Sequence, residues 1–94
     1  MATNNHINYP EVTPSVMLKF LKENGFREYS SDDMFVVHCK KDDTIPPIKF
    51  PKQGIVFDTT VAGIIMISRL NPSSSIERLS ELQNKEQQTP NRRI

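Results

Sequence analysis

The chain has 94 residues, 36% of them hydrophobic, with 12 basic and 11 acidic side chains and a formal net charge of +1. That length supports one domain around a single small core and excludes a deep active-site cleft between two domains. Near-neutrality argues against extensive contact with a nucleic-acid backbone, where affinity comes from neutralising many phosphates, but it is compatible with a local basic patch.

Residues 1–12 are polar, contain Pro10 and read as an extended lead-in. Their start, Met1-Ala2-Thr3-Asn4-Asn5-His6, has neither the basic nor the apolar part of a signal peptide. Thr13-Pro14 is a helix start, a hydroxyl N-cap followed by proline at the first helical position. Met17, Phe20 and Leu21 then recur at helical spacing. Asn24-Gly25 predicts the stop, with glycine in the left-handed conformation and Phe26 folding back over the helix end.

Residues 27–30 suit a short strand, and Ser31-Asp32-Asp33 is turn chemistry. Residues 34–40 are rich in β-branched and aromatic side chains and form the best strand. Alternation sets Phe35, Val37 and Cys39 on one face and Met34, Val36 and His38 on the other. With both faces largely apolar, this strand is expected to be central and covered on part of each side. Lys41-Asp42-Asp43 is a second turn. Residues 44–51 carry Pro46, Pro47 and Pro51, which cannot donate to a ladder, so an edge strand or extended arm around Ile48 and Phe50 follows.

After a turn at Lys52-Gln53-Gly54, Asp58-Thr59-Thr60 opens a second helix with Val61, Ile64, Ile65 and Ser68 on one face and Asn71-Pro72 as its stop. A strand is the alternative here, because residues 64–67 are equally strand-like. Ser74-Ser75-Ile76-Glu77 fits a capping box, with Ile76, Leu79 and Leu82 as the stripe of a short third helix. From Gln83 the composition is polar until Ile94 and predicts a mobile tail. The organisation is thus a lead-in over 1–12, one α+β domain over 13–82 and a tail over 83–94. The domain is expected to be a three-stranded antiparallel sheet with two helices packed on one face, in the order α-β-β-β-α, followed by the short helix. Its core is expected to draw on Met17, Phe20, Leu21, Val61, Ile64 and Ile65 from the helices and on Phe35, Val37 and Phe57 from the sheet side.

Candidate chemistry is sparse. Cys39 is the only cysteine, which excludes an intrachain disulfide and the disulfide-stapled secreted scaffolds. The longest apolar run, residues 64–67, is far short of the roughly 20 residues of a membrane span. A cytoplasmic protein without membrane contact is the expectation. His38 and Cys39 are adjacent on a strand and point to opposite faces, so no metal site is expected. The three glycines are isolated, no phosphate loop is present and no cofactor is expected. Asp32-Asp33 and Asp42-Asp43 are paired carboxylates in turns, where aspartate bonds nearby amides. His38 is the one candidate general acid or base. Lys40, Lys41, Lys49 and Lys52 gather near one end of a hairpin and, with Arg92 and Arg93, are the candidate contacts to phosphates or to a partner. The competing reading of the lysines is an ordinary solvated sheet edge.

The stretch Leu18-Lys19-Phe20-Leu21-Lys22-Glu23-Asn24-Gly25-Phe26, a strand around Phe35 to Cys39, Thr44-Ile45-Pro46 and the helix opening Asp58-Thr59-Thr60 resemble the HicA-type toxins over roughly residues 14–70. The resemblance implies a double-stranded-RNA-binding-like fold and a small ribonuclease. That family carries Gly-Ser-His at the start of its second strand, with the histidine catalytic. Here Ser31-Asp32-Asp33-Met34-Phe35 stands there and His38 lies further along. The leading expectation is therefore a non-catalytic binding protein on a HicA-like scaffold, engaging RNA or a larger protein partner. The alternatives are an inhibitor or accessory protein of the mobile-element kind that docks on a protein, and a HicA-like ribonuclease using His38.

Overall fold

A computed structural model describes residues 8–29 and 32–87. Its elements are α1 (Pro14–Glu23), β1 (Arg27–Tyr29), β2 (Val36–Lys40), β3 (Ile48–Pro51), α2 (Asp58–Ile67) and α3 (Pro72–Gln87). The strands form one antiparallel sheet in the order β1-β2-β3, as expected for an α+β domain with its helices on one face.

α1 begins and ends on local side chains. Thr13 Oγ1 accepts a hydrogen bond from the Val16 amide, and Pro14 occupies the first turn. At the other end, Gly25 sits at φ 92°, its amide donates to the Lys22 carbonyl, and the Phe26 amide donates to the Leu21 carbonyl. This paired closure requires a left-handed residue at Gly25 and drops the Phe26 ring into the core. A methyl group added at Gly25 would also meet the Lys41 stem at 3.2 Å.

The sheet buries one face only. Val37, Cys39, Ile48 and Phe50 point into a core completed by Met17, Phe20 and Leu21 of α1, Val61, Ile64 and Ile65 of α2, and Leu79 and Leu82 of α3. Two residues expected inside are outside. Phe35 is 78% exposed because the ladder starts only at Val36; Asp33 Oδ1 accepts the Phe35 amide and turns the chain there. Phe57 is 58% exposed at the N-cap position of α2, where its carbonyl takes the Val61 amide. Met34 likewise projects from the turn, so β2 is not apolar on both faces. Val12, placed by sequence in the lead-in, is fully buried and exchanges both backbone hydrogen bonds with Val56, at 3.2 and 2.7 Å.

α2 forms as a helix with the predicted inner face, Val61, Ile64, Ile65 and Ser68. Its end is not at Asn71-Pro72. Arg69, at φ 60°, takes the left-handed position while the Leu70 amide donates to the Ile65 carbonyl and the Arg69 amide to the Met66 carbonyl. The closure matches that of α1, with arginine where glycine is usual. Asn71 instead starts α3: its Oδ1 accepts the Ser74 amide, and Pro72 is the first helical residue. The serines read as a capping box therefore lie inside the helix, with Ser75 buried.

α3 is the longest helix among the described residues and continues to Gln87, five residues beyond the expected end of the domain at Leu82. Tertiary contacts hold that extension. Gln83 Oε1 accepts the Thr13 amide at 2.9 Å, and the Glu86 carboxylate accepts from the hydroxyls of Thr13 and Ser15. One turn after another, α3 thus satisfies donors left open at the start of α1. Nearer the other end, Arg78 grips Glu23 of α1 through Nε and Nη2 at 2.9 and 2.6 Å. The rest of the expected tail, with Arg92 and Arg93, lies outside the described residues, as do residues 1–7 of the lead-in.

Two outcomes follow from these contacts. Gly25→Ala lowers stability by about 1 kcal/mol or more, read as a lower denaturation midpoint, because the left-handed backbone is strained for a residue with a Cβ. The Arg78 guanidinium holds Glu23 below its ordinary value of 4.5, and the Ser15 and Thr13 hydroxyls do the same for Glu86. Carboxylates lowered in the folded state stabilise it fully above the unfolded value and lose that contribution as pH falls through the lowered one. The melting temperature should therefore drop below about pH 4.5. The drop should be shallower in Glu23→Gln/Glu86→Gln, with Asp42, lowered by Thr44, supplying part of the remaining slope.

Candidate functional site

The register decides which side chains share the open face of the sheet. Arg27 lies opposite Lys40, Glu28 opposite Cys39 and Tyr29 opposite His38. Across β2 and β3, Val36 pairs with Pro51, His38 with Lys49 and Cys39 with Ile48. Since directly paired residues point the same way, Val37 and Cys39 facing the helices send Arg27, Tyr29, Val36, His38, Lys40, Lys49 and Pro51 to the other side. Among the described residues of these strands, that side carries three cations and no carboxylate. Glu28 is directed to the opposite side of β1, across from Cys39.

Arg27 and Lys40, both exposed, are a like-charged pair directly across two strands. Such a pairing is unfavourable in an antiparallel ladder, and neither residue makes an ion pair with a described residue. An anion lying over the pair removes the repulsion.

Aromatic rings lie among these cations. The Tyr29 and His38 ring centres are 5.6 Å apart with the planes tilted by 52°. The two rings, with Glu28, Asp33, Val36 and Lys52, border a shallow recess of roughly 180 Å³. Exposed Phe35 borders a second one, of roughly 280 Å³, with Asp33, Val36, Lys49 and Pro51. A third, of roughly 250 Å³, lies between Arg27, Glu28, Tyr29 and Lys40, so two carboxylates stand at the margins of the cationic face. A more voluminous depression, roughly 490 Å³, lies elsewhere, over Ser15, Leu18, Lys19, Lys22 and Glu23. Its lining comes from α1 alone, so it brings no groups together from different elements.

Of the residues singled out by sequence, Lys40 and Lys49 come together on the open face and Lys52 stands at its border. Lys41 does not join them. It turns to the helix side, its stem over Gly25 and its Nζ 5.8 Å from the centre of the Phe26 ring, where it covers the C-terminal end of α1. Arg27 was missed: it becomes a neighbour of Lys40 only through the pairing of β1 with β2. Tyr29 was missed for the same reason, and Phe35 because alternation placed it inside whereas the Asp33 turn leaves it exposed.

His38 is central on this face, but its Nε2 is enclosed and has no hydrogen-bond partner among the described residues. A covered nitrogen is poorly placed to exchange a proton with an incoming phosphodiester. Cys39 is fully buried on the other side of the strand. Burial, reinforced by the charge of Glu28, pushes its thiol up to about 11. Among the described residues no group of three or more His, Cys, Asp or Glu side chains converges to hold a metal ion. No helix among them is long and apolar enough to cross a membrane.

No family model, no characterised protein and no solved structure matches the chain.

The thiol gives a direct check on this placement. Cys39 should resist a thiol-reactive reagent at neutral pH in the folded protein and react promptly once denaturant is added. Prompt labelling of the folded chain would show that β2 does not have its Cys39 face inside.

Proposed function

We propose that the protein is a non-catalytic binding protein that holds single-stranded RNA on the open face of its sheet. The observation that carries this reading is the juxtaposition, on one sheet face, of Arg27, Lys40 and Lys49 with the exposed ring of Tyr29 and the half-buried ring of His38, and exposed Phe35 at the border of the recess beside Lys49. Cations contribute affinity for the backbone, and exposed rings give bases a surface to stack on. Strands about 4.8 Å apart make a platform on the order of 10 Å wide, room for two or three bases. The near-zero net charge does not oppose this reading, because the cations involved are local to one face. The HicA-like layout fits an RNA-binding role without supplying its catalytic histidine, and the enclosed Nε2 of His38 favours holding RNA over cutting it.

Fluorescence anisotropy with a labelled unstructured RNA of about a dozen nucleotides tests the reading. Affinity should fall with salt with a log–log slope of about −2, the value for three phosphate contacts on a single strand. Lys40→Ala and Lys49→Ala should each weaken binding and reduce that slope by about 0.7. Phe35→Ala should weaken binding by about 1–3 kcal/mol and leave the slope unchanged. Absent or salt-insensitive binding overturns the proposal. RNA cleavage abolished by His38→Ala would move the protein to the ribonuclease reading. A stoichiometric protein captured from nuclease-treated lysate, with no RNA binding, would move it to the docking reading.

A further inference from the structure

α2 has more apolar surface than its place in the fold uses. Its ten residues, Asp58–Ile67, carry one charge, Asp58, and its inner face is filled by Val61, Ile64 and Ile65. The outer face carries Thr59, Met66 and Ile67, all exposed, and half-buried Gly63, at successive helical turns. Met66 is 73% exposed and Ile67 46%, and the flanking Phe57 and Ile55 are exposed as well. A helix that is apolar all round is normally covered on all sides. Clustered exposed apolar side chains such as Met66, Ile67 and Phe57 are candidates for an interaction surface.

The charges at the ends of this face identify what covers it. Asp58 stands at the start of α2 and Arg69 just past its end, both exposed. Neither makes an ion pair with a described residue. Two copies of α2 packed antiparallel about a twofold axis near Gly63 place Asp58 of each copy beside Arg69 of the other. Their helix dipoles oppose, and Met66 and Ile67 of each copy lie over the Thr59 and Gly63 turn of its mate. Parallel packing would instead set like charges side by side. Gly63 leaves open space, with nothing within 4 Å of where a Cβ would stand.

We infer that the chain forms a twofold dimer through the outer face of α2, in antiparallel register, sealed at both ends by Asp58 and Arg69. A standard interface takes about 800 Å² from each partner. With few exposed apolar side chains on α2, the association is a weak one, read at micromolar concentration or above. The surface is separate from the sheet face and the inference does not depend on RNA binding.

Sedimentation equilibrium of the full chain over a micromolar to near-millimolar range, without RNA, tests it. The mass should rise from 10.8 kDa toward twice that value. Gly63→Glu has room in the monomer and should keep the circular dichroism of the native chain while weakening association at least tenfold. Met66→Glu should do the same. Asp58→Lys and Arg69→Glu should each weaken association, and the double variant should recover it. A monomeric mass at every concentration overturns the proposal and leaves the face to a different partner or segment. Association that survives Gly63→Glu and Met66→Glu in folded protein overturns it in favour of another surface. Failure of the double variant to recover overturns the antiparallel register.

Discussion

The structure depends on the alternation along Val36–Lys40. Only Val37 and Cys39 of that strand are buried, and their neighbours Ile48 and Phe50 on β3 complete a single apolar sheet face. The described helices pack on one side of the sheet. The register follows from the same constraint, since a slip of one residue would send Val37 and Cys39 to solvent and bring Lys40 and His38 inside. The burial of the inner face and the exposure of the cationic face are therefore one fact. Whatever fixes Cys39 in the core also fixes Lys40 out of it.

α3 contributes most of the rest. Its sequence is polar, with Leu79 and Leu82 as its buried hydrophobic side chains, and a helix of 16 residues is marginal in water without tertiary packing. It is held by its neighbour. Leu79 fills the core, Arg78 holds Glu23, and Gln83 and Glu86 cap the start of α1 across more than seventy residues of chain. Each helix thus completes the other: α1 offers unsatisfied amides and hydroxyls at its N-terminus, and α3 runs antiparallel to it with acceptors where they are needed.

What could be read in the sequence was what local chemistry sets. Thr13-Pro14 and Asn24-Gly25 mark α1 because proline and glycine restrict or release φ wherever they stand. The inner face of α2 was legible from the spacing of Val61, Ile64 and Ile65. The end of α2 was not, because Arg69 takes a conformation that its side chain does not announce, and Asn71-Pro72, apparently a stop, is a start. Residues 83–87 looked like tail because Gln83 and Glu86 have no partner until α1 lies beside them. The candidate site divides in the same way. Lys40 and Lys49 could be paired from a hairpin alone, whereas Arg27 needed the register of β1, and Lys41 left the group because it follows the strand's last residue and turns toward Phe26.

The balance of charge also looks different once the sides are known. Six of the eleven acids are engaged locally, Glu23 and Glu81 with Arg78, Glu86 at the cap of α1, Asp33 and Asp42 in turns, and Asp58 in the first turn of α2, while Glu11, Glu28, Asp32, Asp43 and Glu77 are exposed. Arg27, Lys40 and Lys49 have no such assignment and share one face. A net charge of +1 therefore describes the chain and not its surface. At distances beyond a Debye length, about 8–10 Å in physiological salt, the acids on the helical side are screened from the sheet. A polyanion approaching the open face meets three cations, with Glu28 and Asp33 at the margins of the recesses. Composition averages over that polarity, and only the register reveals it.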